Sequence, residues 1–65
     1  KKINMISEFN SNSTNRSASI VGGNNSLVVN CYEKDAFIRA IDVSDHSIYY
    51  AEDTAENWIS GFIEE

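Results

Sequence analysis

The sequence predicts an α+β fold: an antiparallel meander of three to four strands with one C-terminal amphipathic helix packed on one face. Three observations carry this. Residues 47–63 hold Ala51, Ala55, Trp58, Ile59, Phe62 and Ile63 at three- and four-residue steps, with Glu52, Asp53, Glu56, Asn57 and Ser60 on the other side. That spacing is one apolar stripe of a helix. Upstream, residues 3–43 divide into four strand-like runs separated by short polar or glycine-containing stretches. The connections are short and no proline interrupts a run, which favours pairing of sequence neighbours, with the helix laid across the sheet.

The first strand is expected over residues 3–9, where Ile3, Met5 and Phe9 alternate with Asn4 and Glu8, and Ser7 weakens the apolar face. Residues 10–15, N-S-N-S-T-N, form a polar loop, because Asn and Ser side chains bond to nearby backbone and favour turns. The second strand covers 16–21, with Ala18 and Ile20 on one face. Gly22-Gly23-Asn24-Asn25 is the strongest turn signal, since Gly and Asn tolerate positive φ. No helix and no Lys-Ser/Thr pair follows these glycines, so they read as a hairpin turn and not as a phosphate loop.

Residues 27–32, L-V-V-N-C-Y, have the highest strand propensity. Leu27, Val29 and Cys31 form one face; Val28, Asn30 and Tyr32 form the other. Glu33-Lys34-Asp35 is a short charged turn into a fourth strand over 36–43. There Phe37, Ile41 and Val43 are expected on one face, interrupted by Arg39, and Ile38 on the other with Ala36 and Ala40. Ser47 is the best N-cap for the helix, with Asp45 as the alternative. Gly61 is expected in the last turn, and Glu64 and Glu65 fall at the negative end of the helix dipole, where they favour fraying.

The 65 residues make a single domain, 1–65. A domain of this size buries only about 60% of its unfolded surface and is marginally stable without a supplement. Cys31 is the only cysteine and His46 the only histidine. That rules out an intrachain disulfide and a zinc site built from this chain alone. No cofactor motif is present. Net charge is −5, and the basic residues Lys1, Lys2, Arg16, Lys34 and Arg39 form no cluster beyond the first two. A nucleic-acid binder needs a basic patch, and an anionic membrane repels an acidic chain, so neither is expected as a partner. No apolar run is long enough to span a membrane, and the lone thiol fits a reducing, cytoplasmic setting.

Two groupings bear on chemistry. Asp45-His46 beside a thiol offers the residue types of a nucleophilic site, but one Cys on a strand and one His in a turn do not supply the oriented base such a site needs. Cys31 reads as core and His46 as a turn residue. Glu52, Asp53 and Glu56 lie together on the exposed helix surface, without a third metal ligand at suitable spacing. With Tyr49 they are the candidate contacts for a partner with a basic surface. One helix covers only one sheet face, yet Val28, Tyr32 and Ile38 are apolar on the second. They are the candidate face of a homodimer.

The run Ala51-Glu52-Asp53-Thr54-Ala55-Glu56-Asn57-Trp58-Ile59-Ser60-Gly61 resembles the A-E-x-x-A-E-x-W-[IV]-x-G helix of small orphan proteins of tailed bacteriophages. The last 40 or so residues are also distantly similar to segments of some anti-CRISPR proteins. The resemblance implies a viral origin, residence in the host cytoplasm and action on a host or defence protein; it carries no functional residue across. The expectation is therefore a small, acidic, non-enzymatic protein-binding module that modulates such a protein. The alternative is a structural or assembly accessory acting through homo-oligomerisation.

Overall fold

The computed structural model describes residues 4–23 and 25–62, with side chains from Ile6 onward. Expectations for Ile3, the Met5 side chain, Asn24, Ile63, Glu64 and Glu65 lie outside the described residues. Four strands precede one helix: β1 (Asn4–Ser11), β2 (Arg16–Gly23), β3 (Ser26–Glu33), β4 (Ala36–Asp42) and α1 (Ile48–Ile59). The strands form one antiparallel sheet in the order β1-β2-β3-β4, and the helix packs on one face, as the sequence predicts. α1 lies over β2, β3 and, at its margin, β1; it does not reach β4.

Alternation fixes which side of each strand is buried. Ala18 and Ile20 on β2 and Val29 and Cys31 on β3 point at α1, which answers with Ala51, Ala55 and Trp58. Val43 follows directly after β4, joins the core, and donates its N–H to the Leu27 carbonyl at 2.9 Å. Apolar residues are thus collected on one side of two central strands and under one helix, which is the burial that holds a chain of this length together.

Both edge strands contain a bulge. In β1 the register passes from Met5↔Val21 to Ser7↔Ile20, leaving Ile6 as the extra residue. Phe9, opposite Ala18, packs against the core. The inserted residue interrupts the strict alternation expected along this strand. Ile6 leans over Gly22, where a Cβ would come within 2.9 Å of the Ile6 Cδ1. Glycine at this position leaves the room that Ile6 occupies.

In β4 the register passes from Cys31↔Arg39 to Tyr32↔Phe37, and Ile38 is extra. Phe37 and Ile38 exchange the faces that strict alternation assigns them. Ile38 is half-buried and packs against the core cluster, so it does not belong to the outer face with Val28 and Tyr32. Phe37 takes its place there and meets the Tyr32 ring edge-on at 5.7 Å. The outer face then carries three rungs. Ser17, Tyr32 and Phe37 form one, Ser19, Asn30 and Ala40 the next, and Val21, Val28 and Asp42 the third.

Ser47 caps α1, accepting a hydrogen bond from the Tyr50 N–H at 3.3 Å. At the other end Gly61 lies just past the helix, with φ +86°, and not in its last turn. Its N–H bonds to the Trp58 carbonyl at 3.1 Å, and the Phe62 N–H bonds to the Asn57 carbonyl at 2.9 Å. This paired closure uses a left-handed residue to satisfy the last carbonyls. It also turns the chain away, so Phe62 is 78% exposed and drops out of the predicted stripe. Thr54 takes a buried position, with its hydroxyl bonded back to the Tyr50 carbonyl at 2.9 Å.

Candidate functional site

The helix is held by one end. The fully buried Trp58 ring donates its indole N–H to the Ser17 and Tyr32 carbonyls, each at 3.0 Å. The Arg16 guanidinium sits 4.0 Å from the centre of the Trp58 ring, and its Nη1 donates to the Trp58 carbonyl at 3.1 Å. Thr14 donates its hydroxyl proton to the Ile59 carbonyl at 2.6 Å. Arg16 also faces its cross-strand partner Glu33, with Nε 3.8 Å from the carboxylate. These contacts anchor the last turn of α1 to the β1–β2 turn and leave the opposite side of the helix to solvent.

That solvent side is where the structure places the acidic candidates. Tyr49, Asp53 and Glu56 recur at helical steps of four and three and are exposed, Tyr49 at 78%. Glu52 flanks them and is half-buried. Asn57 donates its side-chain amide to the Asp53 carboxylate at 3.4 Å. Just before the helix, the exposed His46 ring stacks on Tyr50 at 3.9 Å, with the planes 12° apart. The result is an outward ridge of carboxylates and one open tyrosine, with a second tyrosine held beside it by histidine.

The two other chemical candidates are far from one another in character. Cys31 is fully buried mid-strand, and burial raises its thiol pKa, offset in part by the charges of Arg39 and Arg16. His46 lies in an exposed turn, its N–H bonded to the Val43 carbonyl. The structure does not bring thiol and imidazole into a pair. Among the described residues no group of three or more His, Cys, Asp and Glu is placed to hold a metal ion.

Two features had no counterpart in the sequence reading. The β1–β2 and β3–β4 turns lie side by side, tied by a 2.8 Å bond from the Lys34 N–H to the Asn15 carbonyl. Between them is a cleft of about 420 Å³ lined by Asn and Ser side chains with Arg16, Lys34 and Asp35. Asn15, Lys34 and Asp35 all take positive φ, of 60°, 53° and 67°. The second feature is the outward Phe37, 58% exposed at the β4 edge. Its signal in the sequence is Arg39: a charged residue breaking the apolar side of a strand marks the place where the alternation slips. The cleft has no comparable signal, because its two turns are 20 residues apart in the chain.

At the far end of β4, Ser44 ties the strand to β3. It donates its hydroxyl and backbone N–H to the Asp42 carboxylate, at 2.6 and 2.9 Å, and accepts from the Leu27 N–H at 3.0 Å. The two bonds from Ser44 hold the Asp42 carboxyl below its ordinary pKa.

Comparison with protein-family models, with curated proteins and with solved structures finds no match to this chain. Among the described residues no helix is long and apolar enough to cross a membrane.

Proposed function

We propose that this chain is a non-enzymatic protein-binding module that engages a basic partner surface along the outward ridge of α1. The observation that carries the reading is Tyr49, 78% exposed on a helix whose other side is fixed in the core, in line with the carboxylates of Asp53 and Glu56. An open tyrosine supplies apolar area at low entropic cost, which is why tyrosine is enriched among interface hot spots. Carboxylates around it steer a cationic partner and reject an anionic one. The net charge of −5 extends that preference to the whole molecule.

The test is the double variant Glu52→Lys, Glu56→Lys against Tyr49→Ser, each first checked for an unchanged circular dichroism spectrum. A partner recovered with the parent chain is purified and titrated against each. The expected result is at least tenfold weaker binding for the charge variant and a smaller salt dependence. Equal affinity for all three chains refutes the ridge as the contact surface.

A further inference from the structure

The sheet face away from α1 is a second surface, independent of the helix ridge. We infer that it seats an amphipathic helix of a partner protein, apolar side down and with lysine or arginine residues along its flanks. Three observations select this occupant.

The first concerns the edges. A peptide that joins a sheet as an extra strand needs a straight, accessible edge. Here both edge strands carry a bulge, at Ile6 in β1 and at Ile38 in β4. Bulges are a common means of blunting an edge against strand addition. The open surface is therefore the face.

The second concerns charge. The outer face carries Glu8, opposite Ser19, on one edge strand and Asp42 on the other. The described cations lie elsewhere: Arg16 against Trp58, Arg39 opposite Cys31 on the inner side, and Lys34 in a turn. A second copy laid face to face would set carboxylate against carboxylate at each edge, a like-charge juxtaposition that disfavours that pairing. A partner with cations on both flanks meets one carboxylate at each edge.

The third concerns shape. The Tyr32–Phe37 pair and the Val21–Val28 pair are the apolar rungs. They lie four residues apart along β3, about 13 Å at ~3.3 Å per residue. On a helix at ~1.5 Å per residue, positions seven or eight apart lie on one stripe and are separated by about 10–12 Å, so a helix laid along β3 can set an apolar side chain near each rung. The rung between them is low, built from Ser19, Asn30 and Ala40, and Ser19 is 9% exposed. A helix can approach closely there and rest on the two apolar rungs.

The test uses a synthetic 18-residue Leu/Lys amphipathic helix and its Leu/Glu counterpart, each titrated into the ¹⁵N-labelled chain. The expected result is binding of the Leu/Lys peptide alone. Amide shifts should centre on Ser17, Asn30, Tyr32, Phe37 and Ala40, and affinity should fall at least tenfold in Phe37→Ser. Shifts centred on Tyr49, Asp53 and Glu56 overturn the inference, as does equal binding of the Leu/Glu peptide or no binding of either. Dilution-dependent shifts of the same five amides without peptide also overturn it, since they assign the face to a second copy.

Discussion

At the scale of single residues, Trp58 does the most. It fills the space between α1 and the two central strands, and its one polar atom serves two strand carbonyls at once. These roles can be separated. Trp58→Ala removes both and should cost about 3–5 kcal/mol, most of the stability of a domain this small. Trp58→Phe keeps an aromatic ring but strips the donor from Ser17 and Tyr32. Leaving buried carbonyls short of a partner costs about 1–3 kcal/mol. Urea denaturation followed by circular dichroism measures both; a Phe variant as stable as the parent would show that the indole N–H contributes nothing beyond its volume. Arg16 belongs to the same unit. It covers the ring, bonds the helix carbonyl and faces Glu33, so its stem and its charge both bear on helix docking.

At the scale of elements, the β3–β4 turn is held against its own composition. Lys34 and Asp35 both adopt left-handed backbone, the conformation that a two-residue hairpin turn requires and that Asn-Gly supplies most readily. An ordinary side chain there costs about 1–2 kcal/mol. Lys34→Asn with Asp35→Gly should therefore raise stability by about 1–2 kcal/mol, read as a higher urea midpoint. An unchanged or lower midpoint would mean that the left-handed backbone at these two residues is not a cost to the parent.

The elements also show what a sequence makes legible. The number, order and pairing of strands, the Ser47 cap and the position of Trp58 at the core follow from local periodicity and turn chemistry, which are properties of neighbouring residues. The bulges do not follow, because an inserted residue is defined by its partner strand. Strict alternation therefore assigns Phe37 and Ile38 each other's faces and groups Ile38 with Val28 and Tyr32, which the bulge overturns. The predicted stripe extends past the end of the helix, among the described residues to Phe62, because the left-handed Gly61 turns the chain out of the helix. Of the helix ridge, the identity of the residues was legible and the depth of Glu52 was not. The paired-turn cleft depends on hairpins meeting at one end of the sheet, which only the assembled fold determines.

At the scale of the whole molecule, the sheet is open on one face and shielded at both edges. The β4 bulge should be what keeps copies of this chain from pairing edge to edge. Deleting Ile38 keeps Tyr32 opposite Phe37 and Cys31 opposite Arg39 while straightening the strand. The deletion variant should self-associate in light scattering at concentrations where the parent does not. A folded deletion variant with the parent's mass across a dilution series would show that the bulge does not guard the edge.

The placement of Trp58 has an optical consequence. It is the single tryptophan, sealed between helix and sheet and tethered to β2 through Ser17 and Arg16. Its emission therefore reports closure of the helix onto the sheet and nothing else in the chain. Amide exchange in β4, which α1 does not reach, reports the meander by itself. If the fluorescence and exchange signals change at different denaturant concentrations, the helix undocks from a sheet that is still paired, and the order in which this chain comes apart can be followed without adding a label.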